Sequence, residues 1–486
     1  MKKIIIYSLL LIACVFGACQ QDRVSSDPSL QLSFSHDTVC FDTVFTEMGS
    51  STRKIMVYNP NKNALNIEQV SMQNGVYFHI NLDGENNRDM LRDITVRGGD
   101  SLFLFVRAYI DPQSEDSPVF IEDKIAFKVN GNIQEVTLQA YGQNVERIQG
   151  KNGLKIYQDL KLSNKKPYVI YDTVAVAGDL TIEAGTTIYM HERALIHVYG
   201  NMTALGTKEQ PIIFRGDRTD MLYDSVPYRM ASGQWNGIYL IHAEGTVPPV
   251  YKMDYVDILS GSVGLYVYSE STGSKLPKLT LSNSRIHNHS IYGLVLQNVN
   301  AEVVNSEISN CASYCVYLAG GKHDFVHNTI AAYYGYPYTN LNIHQNIVPE
   351  DVAAVYINNL SKNMAKTNSS FYNCIITGGR KQSLMVATPL PDYYGGRFEG
   401  NYLRSDSLDK AFAKNNVYAS DSDTCVFKNI YYLYKKYHYY DFRLDSLSPA
   451  RGIGDSIVAL EYPTDMVGCP RKGKPDAGCY EYVEGL

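Results

Sequence analysis

Asn283-Ser284-Arg285-Ile286, Asn305-Ser306-Glu307-Ile308, His327-Asn328-Thr329-Ile330 and Asn373-Cys374-Ile375-Ile376 are four versions of one phrase. Ile286 and Ile308 stand 22 residues apart, Ile308 and Ile330 again 22, and Ile330 and Ile376 46, which is two turns of 23. A repeat of that length, made of short β-branched runs between polar turns, predicts a parallel β-helix. Each coil buries against its neighbours what it could not bury alone. Asn288 and Asn310, also 22 apart, are expected to stack their amides at a turn. Such a fold carries many functions, so activity must be argued from sites.

Met1-Lys2-Lys3 followed by the apolar stretch from Ile4 to Ala13 reads as a secretion signal, too short and too early for a stable membrane span. It closes on Phe16-Gly17-Ala18-Cys19, which resembles the bacterial lipobox. The resemblance implies cleavage after residue 18, acylation of Cys19 and a membrane partner reached through lipid. No later stretch is apolar for long enough to cross a bilayer. The 468 residues that remain (486 minus 18) argue for two or more folded units. A net charge of −6 without a basic stripe argues against nucleic acid. Beyond Cys14 and Cys19 there are Cys40, Cys311, Cys315, Cys374, Cys425, Cys469 and Cys479, with no CxxC motif. Neither a zinc knuckle nor a redox pair is indicated, and Cys469 with Cys479 is the candidate disulfide.

Residues 19–28 are small and polar, a tether. Runs at Leu30 to Phe34, Lys54 to Tyr58, Leu65 to Val70, Phe78 to Leu82, Ser101 to Ala108, Asp123 to Val129 and Ile133 to Ala140 alternate in hydrophobicity, with turn signals such as Asn59-Pro60 and Asn130-Gly131 between them. Seven short strands predict an immunoglobulin-like β-sandwich over residues 29–147. Residues 148–167 are polar and read as a connector; 168–440 hold the β-helix and 441–486 its C-terminal cap.

Leu180-Thr181-Ile182-Glu183-Ala184-Gly185-Thr186-Thr187-Ile188-Tyr189-Met190, then Pro211-Ile212-Ile213-Phe214, Gln234-Trp235-Asn236-Gly237 and the closing Pro475-Asp476-Ala477-Gly478-Cys479-Tyr480 resemble secreted right-handed β-helix proteins of Bacteroidota. The resemblance covers most of residues 168–482 and implies an all-β chain: a sandwich, then a right-handed single-stranded parallel β-helix of the pectate-lyase-like kind. Eight Asp-Ser/Thr-aliphatic triplets, among them Asp37-Thr38-Val39 and Asp172-Thr173-Val174, look like the O-glycosylation sequon of that phylum. They equally suit turns that open strands.

Lyases on this fold use calcium-binding carboxylates and a basic proton acceptor, and the related hydrolases use paired acids. The densest charged cluster is Asp217, Arg218, Asp220, Asp224 and Arg229, the weak catalytic candidates. His287, His289, His323 and His327 read as turn and strand residues rather than metal ligands, so no metal and no cofactor are expected, calcium entering only with a lyase. Tyrosine is the stronger lead, at 39 of 486 residues against one tryptophan. It gathers where the repeat is interrupted: Tyr333, Tyr334, Tyr336 and Tyr338; Tyr393, Tyr394 and Arg397; and the run from Tyr431 to Tyr440. Residues in excess of a coil are expelled as loops, commonly on a binding face, and phenol rings suit sugars or protein surfaces. The expectation is an outer-membrane lipoprotein that binds glycan or a surface protein through these loops. The alternatives are a polysaccharide lyase or other carbohydrate-active enzyme, or a structural surface component.

Overall fold

The computed structural model describes residues 23–84, 90–222, 226–273, 275–334, 353–358, 364–387, 394–420, 425–430 and 440–485. The chain divides into two compact units, Met1–Asn144 and Val145–Leu486, each with its own core.

The first unit is a two-sheet sandwich. One sheet orders Ser33–Phe34, Arg53–Tyr58, Ser101–Ala108 and Phe78–Leu82; the other orders Thr38–Phe45, Asn132–Gln143, Val119–Val129, Leu65–Met72 and Met90–Val96. Alternate residues point inward, so Ile55, Val57, Leu104 and Val106 of one sheet meet Ile67, Ile125, Phe127 and Leu138 of the other in a buried core. Six of the seven expected strands lie near their expected bounds, and the first shortens to Ser33–Phe34. Two further strands were not anticipated. Thr38–Phe45 carries Asp42 at φ 59° and a register shift in its pairing, and Met90–Val96 carries Asp93 at φ 56°, so neither alternates cleanly.

The second unit is a parallel β-helix. Each coil visits three sheets in turn: the first runs from Glu146–Ile148 to Val417–Tyr418, the second from Leu154–Tyr157 to Leu384–Val386, and the third from Leu160–Leu162 to Ala413–Lys414. Connections between parallel strands are right-handed in nearly all cases, which sets the hand of the coil. Ile188, Phe214, Ile258, Ile286, Ile308, Ile330 and Ile376 stand in register one above another in the first sheet, all fully buried in the lumen. Ile330 pairs directly with Ile376, so the 46 residues between them are one coil with a long insertion and not two turns of 23. On the third sheet Phe325, Phe371 and Phe398 stack at 4.8 and 5.2 Å.

The repeated phrase has a local cause. Asn283, Asn305, His327 and Asn373 turn the corner into the first sheet at φ 46°, 48°, 53° and 54°, a conformation that Asn and His adopt more readily than bulky residues. The next residue faces inward and accepts a backbone N–H from the preceding coil: Val256 donates to Ser284 Oγ at 3.0 Å, Ser284 to Ser306 Oγ at 3.2 Å, Ser306 to Asn328 Oδ1 at 2.9 Å and Asn328 to Cys374 Sγ at 3.4 Å. Buried polar backbone is thereby satisfied.

One expected boundary moves, and the expected end cap lies elsewhere. Glu146–Ile148, Leu154–Tyr157 and Leu160–Leu162 pair in parallel with Tyr168–Ile170, Thr173–Val176 and Leu180–Ile182, so residues 148–167 belong to the first coil and not to a connector. The C-terminal segment lies along the outer flank of the first sheet. Phe442, Leu444, Ala450 and Ala477 share a core with Ala331, Ile375 and Tyr402. Tyr480 donates to Glu307 Oε2 at 2.7 Å, and Arg471 donates to Asn305 Oδ1 at 2.9 Å. Asp455 N–H donates to Asn373 Oδ1 at 2.7 Å, and the Asp455 side chain accepts from Ile457 N–H to cap the helix Ser456–Glu461.

Candidate functional site

Of the expected tyrosine loops, the structure turns two members inward. Tyr333 is buried between Phe427 (6.2 Å, edge-on) and Phe442 (6.1 Å, stacked), so it is a core residue rather than a ligand contact. The Tyr334 hydroxyl is 2.7 Å from Ser232 Oγ, and burial holds its pKa above the usual phenol range. Tyr333 packs under the C-terminal flank. Arg397 pairs with Glu399 at 3.6 Å. Tyr336, Tyr338, Tyr393, the Tyr394 side chain and Tyr431 to Tyr439 lie outside the described residues, as do Cys19 and Asp224.

Tyrosines gather instead on the outer face of the second sheet. On the third to eighth of its nine rungs one central outward position is occupied in order by His197, Tyr239, Tyr266, Val295, Tyr317 and Tyr356. Tyr239 stacks on Tyr266 at 5.2 Å and 15°, and Tyr317 on Tyr356 at 5.5 Å and 26°. Beside them Tyr292 stacks on Tyr314 at 6.1 Å, and Tyr314 on Tyr356 at 4.9 Å. Each pair contributes about 0.5–1.5 kcal/mol beyond its burial. Stacking occupies ring faces, so the strip presents rims and hydroxyls outward. Tyr266 donates to Gln297 Oε1 at 3.1 Å, and Asn358 Nδ2 donates to the Tyr317 hydroxyl at 2.7 Å. Burial raises the pKa of Tyr239, Tyr266 and Tyr317, keeping their hydroxyls neutral and able both to donate and to accept.

This column escaped the sequence reading because its members are 27, 51 and 39 residues apart, a spacing blurred by unequal coils. A signal was present. Ile238-Tyr239-Leu240, Leu265-Tyr266-Val267, Val316-Tyr317-Leu318 and Val355-Tyr356-Ile357 each set a tyrosine between two aliphatic residues, the pattern of a strand with a filled lumen and an aromatic outer side.

The charged loop does not converge as one group. Arg218 and Asp220 satisfy each other through a two-pronged ion pair, with the guanidinium 3.9 Å from the Tyr228 ring centre. The Arg229 carbonyl accepts from Ser260 Oγ at 2.6 Å. Asp217 reaches back one coil to His191, Oδ2 to Nδ1, at 2.6 Å. That hydrogen bond is the main cause raising the His191 pKa, against a smaller opposing effect of burial. His191 had not been singled out, since 26 residues separate it from its partner.

Among the described residues no three His, Cys, Asp or Glu side chains converge as metal ligands. His287 lies between the Tyr440 and Phe442 rings, and His289 and His323 are fully buried. Cys469 and Cys479 both carry free thiols and are not joined to each other. Cys479 is buried against Thr329, whereas Cys469 is partly exposed and hydrogen-bonds through its backbone N–H to Asp465.

The family model described as right handed beta helix region matches residues 236–389. No curated protein matches the chain. Two solved structures overlap it in part: a family 123 glycoside hydrolase from Clostridium perfringens (9% identity, 24% of this chain and 30% of that one, TM-score 0.18) and the VesB protease of Vibrio cholerae (16% identity, 23% and 32%, TM-score 0.17). The chain spans about a third of the length of each. Likenesses this slight say nothing about activity, and what is similar by sequence is the β-helix itself.

Proposed function

We propose that the protein is a lipoprotein of the outer membrane in a Bacteroidota cell, anchored by acylated Cys19, with an immunoglobulin-like spacer and a β-helix that binds a glycan chain. The observation that carries this reading is the tyrosine column on the second sheet. It sets two stacked tyrosine groups on either side of Val295, apolar in their rings and hydroxyl-bearing at their edges. An extended saccharide offers the matching surface, with CH groups for the ring rims and hydroxyls for Gln297, Asn358 and the phenols.

Tyr266→Ala and Tyr317→Ala test it by retention on an array of neutral and acidic glycans, with circular dichroism as the check on folding. Each change is expected to weaken retention about tenfold, roughly 1.4 kcal/mol. Unaltered retention by both variants sinks the reading and leaves a structural surface component.

A further inference from the structure

Three successive rungs of the first sheet carry pairs two residues apart on the side away from the lumen: Val169, itself buried, with Tyr171; Tyr189 with His191; and Arg215 with Asp217. The backbone ladder continues past the strands, with His191 N–H on the Ile170 carbonyl at 2.8 Å and Asp217 N–H on the Met190 carbonyl at 3.1 Å, which fixes the second column. Asp217 is largely covered, its side chain 12% exposed, while the imidazole it holds is 43% exposed. The Tyr171 ring packs 4.6 Å from that imidazole, and the Arg147 guanidinium sits 5.1 Å from the centre of the Tyr171 ring. The carboxylate accepts a hydrogen bond from Nδ1–H, so in the neutral ring Nε2 carries the lone pair on the side away from Asp217.

We infer that His191 is a catalytic base that removes acyl ester groups from a glycan, with Asp217 as its positioning residue and Arg147 as the neighbouring cation. The glycan as substrate rests on the reading of the tyrosine column; the acid–base chemistry does not. Hydrolysis of a glycosidic bond asks for two carboxyl groups across it, and here Asp217 is held by His191 and Asp220 by Arg218. A single oriented imidazole suits acyl transfer to water, in which one group acts first as base and then as acid. Nε2 takes a proton from water as the water oxygen adds to the ester carbonyl carbon, and the carbonyl π pair moves onto its oxygen. When that pair returns, the bond from carbon to the sugar oxygen breaks and the sugar oxygen takes the proton from Nε2. Water and ester are consumed; a carboxylic acid and a sugar hydroxyl leave.

The groups that face His191 are Asp217, Glu192 and Asp172, all of which favour its charged form, with the Tyr171 ring tilted against it and Arg147 behind that ring. Only the neutral imidazole is a base, so the rate should rise with pH through an inflection above the ordinary histidine range.

The experiment measures acetate release by the full chain from 4-nitrophenyl acetate and from acetylated xylan, with His191→Gln and Asp217→Asn alongside. Expected are release by the wild type, a loss of about 100-fold or more in His191→Gln, and in Asp217→Asn a slower rate whose inflection moves to lower pH. The proposal is overturned if His191→Gln matches the wild type on both substrates, or if Asp217→Asn leaves the inflection in place. Unsaturated sugar products instead of acetate overturn the ester assignment. Turnover of 4-nitrophenyl acetate needs no glycan. His191-dependent release from that substrate alone would keep the base and discard the glycan ester.

Discussion

The Asn310 side-chain amide donates to the Asn288 side-chain oxygen at 3.0 Å, directly across one rung. Asn288 in turn donates to the Met230 carbonyl at 2.8 Å, which fastens the Asp217–Gln234 loop to the coil. Asn288→Ala removes both contacts and places alanine at φ 65°. It is expected to destabilise the chain by about 2–3 kcal/mol, measured as a shift in urea midpoint. A loss below ~0.5 kcal/mol would show that the loop holds itself.

Ile308 lies between Ile286 and Ile330 in the lumen with no exposure. Ile308→Ala leaves a cavity that two flanking rungs cannot close, and should cost about 2–5 kcal/mol. Equilibrium unfolding in urea checks this, and Ile308→Val should lose only about 0.5–1.5 kcal/mol.

Burial depresses four histidines in the β-helix: His289 to about 4, His287 and His323 to about 3, and His327 to about 2. An unfolded histidine titrates near ~6.5, so as pH falls below that value the unfolded chain binds protons the folded one refuses. The stability these groups contribute is complete above about pH 6.5 and is lost as pH falls toward 4, by about 1.4 kcal/mol per histidine per pH unit. His323→Asn should therefore flatten the dependence of the urea midpoint between pH 6.5 and 4. An unchanged slope would refute the assignment.

Glu307 is fully buried on the flank of the first sheet, its carboxyl raised chiefly by desolvation, and it receives hydrogen bonds from Tyr480 and Ser309. Tyr480→Phe removes one of these without altering shape. The expected loss is about 1–3 kcal/mol, together with faster hydrogen exchange in residues 440–485. If exchange there is unaffected, the hydrophobic contacts of Phe442 and Leu444 hold the segment alone.

The β-helix was legible because two constraints recur with the rung. The lumen demands an aliphatic residue at Ile286, Ile308 and Ile330, and the corner demands a residue tolerant of positive φ at Asn283, Asn305 and His327. Both leave a period in the sequence. The first coil at 148–167 left none, since an end rung has a neighbour on one side only. The outward tyrosines were present as residues but not as a column, because the distance along the chain between stacked rings depends on loop lengths elsewhere in the coil. His191 and Asp217 were hidden for the same reason: their 2.6 Å contact arises from register. Clustering along the chain pointed to Tyr333, where the fold needed a core residue.

The side-chain ladder Ser284, Ser306, Asn328 and Cys374 runs parallel to the long axis of the coil, as do the strand hydrogen bonds beside it. Tension applied to the two ends of the β-helix along that axis would load these bonds one rung at a time. The solenoid should then yield by peeling, in many small steps. Each step would free one coil, which for the 22 residues from Ile286 to Ile308 is on the order of 70–80 Å of extended chain, so a mechanical tether built this way lengthens gradually instead of snapping.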